Sequence, residues 1–229
     1  LFDDFLKDTI NLDAWVLAKD ANATDFVAAS TAVSGGTIAG ATSTTDDSYH
    51  SIKGPNMFLG DNECGMEIRF QVDVVTTPNG LTWEAGFCDP KTDDTLPAIA
   101  DVDTPSVNTG AADLAVIHQD TDQTLTTMAF VTDGSTTNMN TTKTDLGTRT
   151  MTFNEFATVR VQGYGDQFAC GFYGLNGELL ESASHGGATA SMVEGGVLMA
   201  PQFIIGDRGA ASIIATIDCI AAWGDRYAR

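Results

Sequence analysis

Met66-Glu67-Ile68-Arg69-Phe70-Gln71-Val72-Asp73-Val74 alternates apolar and polar side chains without a break. Ile68, Phe70, Val72 and Val74 fall on one face and Glu67, Arg69, Gln71 and Asp73 on the other. This period of two belongs to a half-buried β-strand and not to a helix. Pro78-Asn79-Gly80 follows as a turn, and residues 81–88 continue with Trp83, Ala85 and Phe87 facing one way, so the two runs read as a hairpin.

Working outward, residues 156–162 set Val159 and Val161 against Arg160 and Gln162. Residues 163–166 turn, 167–173 run back, and Asn176-Gly177 turns again into 178–182, giving a three-strand meander. Residues 114–118 and 124–132 form another pair. Near the end, 201–206 and 215–223 read as two more strands, the last with Ile217, Cys219, Ala221 and Trp223 inward. The intervening stretches 28–47, 89–112 and 133–150 are rich in Gly, Thr and Asp and long for loops, so some hold further strands or serve a function. Helix is expected only as short turns, at 188–194. Neither a linker nor a repeat interrupts the chain. The expectation is one all-β domain over 1–229, a two-sheet antiparallel sandwich with long loops and little helix.

Composition supports this reading and removes several functions. Of 229 residues 43% are hydrophobic and only 18% charged, enough apolar material for a sizeable core. Eleven Lys and Arg against 31 Asp and Glu give a net charge of −20, which repels phosphate backbones and argues against nucleic acid as a partner. The most apolar runs, 197–206 and 210–223, are cut by Pro201 and Asp218, well short of the ~18 apolar residues that a membrane helix needs. The opening Leu-Phe-Asp-Asp-Phe lacks an initiator Met, so a trimmed chain is expected, in which an export signal would be invisible. Cys64, Cys88, Cys170 and Cys219 lie far apart without a Cys-x-x-Cys pair. Buried thiols and disulfides are both open readings, a zinc ribbon is not.

The order of landmarks is similar to that of concanavalin A-like lectin/glucanase domains. They are Phe2-Asp3-Asp4-Phe5 and Trp15, the strand from Gly65 to Phe70, Phe156-Ala157-Thr158-Val159-Arg160-Val161, and Leu175-Asn176-Gly177-Glu178-Leu179. Pro201-Gln202-Phe203-Ile204-Ile205-Gly206 and the closing Ile217–Trp223 strand complete the series. The resemblance implies a jelly roll of two curved sheets with the terminal strand beside the first. Asp46-Asp47-Ser48-Tyr49-His50 and residues 121–134 more loosely resemble virion structural proteins of tailed bacteriophages.

The glucanase branch of that family sets its acid and nucleophile on one strand as Glu-x-Asp-x-Glu. Here Glu63-Cys64-Gly65-Met66-Glu67 keeps the outer pair and puts Gly65 where the central Asp belongs, so nothing steers two protonation states apart. No catalysis is expected, and Glu67 is expected to pair with Arg69 or Arg160. His50, His118 and His185 accompany no nucleophile elbow, and His185, in Ser184-His185-Gly186-Gly187, reads as a solvated loop residue. Asp101-Val102-Asp103-Thr104 and Asp120-Thr121-Asp122 gather hard oxygen ligands of the kind Ca²⁺ takes, without EF-hand spacing. Otherwise no cofactor is expected. Trp15, Trp83, Tyr49, Tyr164 and Tyr173 are candidates for a sugar platform, while Trp83 and Trp223 fall in phase with core residues. The sequons Asn22-Ala23-Thr24 and Asn140-Thr141-Thr142 matter only in a secreted eukaryotic product.

The resulting expectation is a non-catalytic virion structural protein of a tailed phage, a capsid decoration or fibre/appendage component. It would form a homo-oligomer and act through multivalent contacts with other virion proteins, above all by loops 89–112 and 133–150. The alternatives are a carbohydrate-binding lectin-like module and a glycoside hydrolase using Glu63 and Glu67.

Overall fold

The computed structural model describes residues 2–3, 11–20, 23–28, 36–45, 47–74, 80–90, 96–101, 106–107, 113–122, 128–132, 143–147, 151–165, 167–186, 193, 196–209 and 212–225. Among them every regular element is a strand, and all pairings are antiparallel. With strands numbered along the chain, one sheet runs β16 (Leu179–Gly186), β15 (Gln167–Tyr173), β14 (Ala157–Tyr164), β7 (Cys64–Val74), β18 (Ile213–Gly224), β4 (Ile38–Ala41), β3 (Val27–Ala28). The short β1 (Phe2–Asp3) also lies against β18. The other runs β13 (Lys143–Asp145), β12 (Ala129–Thr132), β11 (Leu114–Asp120), β8 (Leu81–Cys88), β17 (Leu198–Asp207), β5 (Ser48–Lys53), β2 (Val16–Lys19), with β6 (Phe58–Leu59) on β17. A separate pair joins β9 (Ile99–Asp101) to β10 (Ser106–Val107).

The alternation that opens the sequence places Met66, Ile68, Phe70 and Val72 in the core, while Glu67, Arg69, Gln71 and Asp73 are half exposed. Phe70 is the hinge pin of the packing. Its ring lies 5.3 Å from Trp83, edge to face, and 4.7 Å from Phe203, both on the opposite sheet. Burying an aromatic side chain of this size contributes on the order of 2–3 kcal/mol.

That contact corrects the expected hairpin. β7 pairs with β14 and β18, whereas β8 pairs with β11 and β17, so the chain crosses between sheets around Gly80. The two apolar faces oppose one another across the core instead of lying side by side in one plane. The expected meander β14–β15–β16 and the β11–β12 pair are present, and Phe2 is in register with Ala221, so the first strand lies beside the last.

The long polar stretches contain strands. β4 lies within 28–47, β9 and β10 within 89–112, and β13 within 143–145 of 133–150. Ala98 and Ile99 cover the outer face of the second sheet and form a second apolar cluster with Cys88, Leu114, Val116, Ala129 and Val131. This cover explains why β8 and β11 are buried on both faces and why 114–117 reads as an unbroken apolar run. The expected turn at 188–194 lies outside the described residues apart from Val193.

A second correction concerns β18. Its register against β7 runs Ile217↔Phe70 and then Cys219↔Arg69, so Asp218 is an extra residue in a β-bulge. Ile213, Ala215 and Ile217 face the core before the bulge, and Ile220 and Ala222 after it. Cys219, Ala221 and Trp223 therefore turn outward, against the sequence expectation. The bulged Asp218 takes Arg69 as its ion-pair partner, which supplies a reason for the phase break.

All four cysteines are free thiols, and Cys64, Cys88 and Cys170 are buried. Burial pushes Cys64 and Cys170 up to about 12, so neither is a ready nucleophile.

Gly86 marks a close backbone approach between β8 and β11 in the second sheet. It adopts φ +151°, and a Cβ there would stand 2.1 Å from the Ala115 carbonyl oxygen. Gly86→Ala is expected to destabilise the protein by about 3 kcal/mol or more, from backbone strain plus overpacking. Chemical denaturation measures this; a loss under about 1 kcal/mol would contradict the described approach of β8 to β11.

Candidate functional site

Among the described residues, a sealed place and an open one on the sandwich each bring chemistry-bearing side chains together. The sealed one lies on the outer face of the second sheet, where the β8–β11–β17 register aligns Glu84 with His118 and Ile204. Glu84 is fully buried, and its carboxylate accepts the Ala98 and Ile99 backbone N–H groups at 2.9 and 3.0 Å and Gln202 Nε2 at 2.6 Å. His118 Nδ1 stands 3.6 Å from the same carboxylate. Glu84 thus clasps residues 98–99 onto the sheet. Its role among the described residues is to hold the fold. The sequence reading did not single it out, although a lone acid between Trp83 and Ala85 in an otherwise apolar strand is a signal of such a clasp.

The open place is a cleft of about 310 Å³ at the end of the first sheet, lined by Glu63, Cys64, Gln162, Gly163, Tyr164, Trp223, Gly224 and Asp225. The register puts Gln162, Gly65 and Trp223 in one row across β14, β7 and β18. Because the bulge turns Trp223 outward, its indole lies over Gly65, where a Cβ would stand 2.4 Å from Cε2 and Cζ2. One side of the ring therefore rests on the sheet, and the side chain is still 41% exposed. Tyr164, 51% exposed, stands two residues beyond Gln162 on the same face of β14. The Asp225 N–H donates to the Glu63 carbonyl at 3.0 Å and ties the two acidic residues at the rim together.

The residues singled out from sequence are distributed otherwise. Trp15 and Trp83 are fully buried, and Trp83 Nε1 donates to Gln119 Oε1 at 2.8 Å. Tyr49 is buried with its hydroxyl donating to Asp47 at 3.2 Å, and burial holds that hydroxyl well above the usual phenol range. The Arg160 guanidinium lies 5.7 Å from the centre of the Tyr173 ring. Of the proposed platform residues only Tyr164 reaches the cleft, joined by Trp223. Glu67 accepts Arg160 Nε at 2.7 Å, one of its two expected partners. Glu63 sits apart from it in the cleft. His185 is not a solvated loop residue; it lies in β16 with its ring 5.2 Å from Phe130, and burial lowers its pKa.

No protein-family model and no curated protein matches the sequence. Solved structures do resemble it. A seed lectin from Lotus tetragonolobus has a TM-score of 0.64 at 8% identity, covering 100% of this chain and 99% of that one. The Ca²⁺-bound exoplasmic/lumenal domain of VIP36 scores 0.62 at 10%, covering 100% and 91%. A protein of unknown function from Shewanella oneidensis MR-1 scores 0.63 at 13%, covering 100% and 87%. At such identities the likeness is one of fold, and that fold is the concanavalin A-like jelly roll.

Calcium would need several hard oxygen ligands free to surround it. Asp120 is fully buried, but Oδ2 accepts Arg208, and Oδ1 accepts the Asp122 N–H at 3.0 Å. Arg208 also donates from Nε to the Tyr49 hydroxyl at 3.2 Å. A guanidinium occupies the position a cation would take, and no cluster of three or more His, Cys, Asp or Glu residues suited to a metal occurs among the described residues. The described donors do not fit Ca²⁺; residues 102–104 of the other expected stretch lie outside them. Arg208→Met is expected to cost about 3 kcal/mol by removing the guanidinium that offsets the buried Asp120 charge, and adding Asp120→Asn should restore part of it. Thermal unfolding of both variants measures this, and a neutral single variant would remove Arg208 as the counter-charge.

Proposed function

We propose that this protein is a non-catalytic, carbohydrate-binding module whose ligand contact is the Trp223 cleft. The observation that carries the reading is the Trp223 indole laid over Gly65. A pyranose presents one face of C–H groups, which pack on an exposed aromatic ring, while its hydroxyls need nearby polar groups. Gln162, Tyr164, Glu63 and Asp225 supply these around the ring. The fold likeness lends support, since the Lotus tetragonolobus structure is a lectin and VIP36 is also known in a Ca²⁺/Man-bound form, with a TM-score of 0.55 at 10% identity. The engagement of Glu67 by Arg160 speaks against a paired-carboxylate hydrolase at Glu63 and Glu67.

Virion placement and self-assembly stand as a second reading. The observation that favours self-assembly, though not a virion in particular, is β16, which ends its sheet among the described strands, with Leu179 and Leu175 both exposed. None of the structures named above is described as a virion protein. Mass spectrometry of purified particles tests this placement, and absence from them would end it.

For the first reading, a glycan array is expected to show saturable, sugar-specific binding in the micromolar to millimolar range. Trp223→Ala should weaken it by about tenfold or more, about 1.4 kcal/mol. Binding that is untouched by this substitution, or absent for every glycan, would overturn the reading. No reducing sugar should be released from any bound polysaccharide.

A further inference from the structure

We propose that the sugar taken by the Trp223 cleft is cationic, a glucosamine-type unit bearing a free ammonium group. This rests on the carbohydrate reading and narrows it to a ligand class. Three observations carry it.

First, two carboxylic acid residues, Glu63 and Asp225, line the same cleft as the indole, and among the described residues no Lys, Arg or His lines it. The backbone bond from Asp225 N–H to the Glu63 carbonyl holds the two residues next to each other. Second, the arginines on this face of the sheet are already paired, Arg160 with Glu67 and Arg69 with Asp218, while neither Glu63 nor Asp225 forms an ion pair among the described residues. The rim carboxylates are thus not neutralised by any described cation. Third, the face of an indole is the negative end of its quadrupole and attracts an ammonium group as well as packing against C–H groups. A glucosamine unit satisfies ring and rim at once, with the pyranose on Trp223 and the ammonium toward Glu63 and Asp225.

The net charge of −20 acts in the same direction, adding repulsion against uronic, sulfated or sialylated sugars. Its long-range part is damped beyond a Debye length of about 8 Å in physiological salt, so the rim carboxylates decide selectivity.

The test is calorimetric titration of the whole protein at about pH 6, where the sugar amine is protonated. The probes are a glucosamine tetramer, its fully N-acetylated counterpart, a galacturonic acid tetramer and tetramethylammonium. The expected result is binding of the glucosamine tetramer about tenfold tighter than its acetylated counterpart, none of the uronate, and a preference that shrinks as salt is raised. In Glu63→Gln/Asp225→Asn that preference should collapse, with circular dichroism confirming the fold. Trp223→Ala should lose the glucosamine tetramer. Equal or tighter binding of the acetylated tetramer would overturn the cationic assignment while leaving the carbohydrate reading in place. Tetramethylammonium competing as well as the tetramer would mark a plain cation site and overturn the assignment too. Binding of no sugar at all would defeat both readings.

Discussion

The structure depends on the contact of Phe70 with Trp83 and Phe203 across the two sheets. Once these rings meet, β7 must lie in one sheet and β8 and β17 in the other, and every strand paired to them inherits an inner and an outer face. The period of two then sorts the side chains: what does not point at the core points at solvent or at a covering segment. Function on such a scaffold falls to outward-facing residues and to irregularities that change which residues face outward.

Two departures from regularity shape the outer surfaces. On the second sheet Glu84 draws residues 98–99 down through its carboxylate, sealing a face that would otherwise be an open apolar platform. On the first sheet the bulge at Asp218 reverses the phase of β18, and an indole that a regular strand would bury is delivered to the surface over Gly65. One sheet face is closed by a buried acid, and the other carries an exposed aromatic cleft at its end. Both follow from local chemistry: a carboxylate that needs donors when buried, and an Asp that gains Arg69 by standing out of register.

Much of the fold could be read from sequence because period two is a local signal. Ile68, Phe70 and Val72, the reversal from β14 into β15, the turn at Asn176-Gly177, and the alternation through Val159 and Val161 needed no long-range information. The pairing of β7 was different, since a turn at Pro78-Asn79-Gly80 permits both a hairpin and a crossing between sheets, and only the opposed packing of Phe70 and Trp83 decides. The strands in 28–47, 89–112 and 133–150 were foreseen only as a consequence of loop length, being short. The site was the least legible part. Trp223 was assigned to the core because alternation was carried through Asp218 without a break, and bulges leave little trace in side-chain pattern. Gly65 was weighed as a missing catalytic Asp; its role is to make room for the indole.

The outward turn of Trp223 is the claim on which the functional account stands, and collisional quenching of fluorescence by acrylamide measures it directly. Of the three tryptophans, Trp15 and Trp83 are fully buried and Trp223 alone is substantially exposed. The account predicts one readily quenched component in the native protein that disappears in Trp223→Phe. A native protein without that component, or one that keeps it after the substitution, would contradict the account.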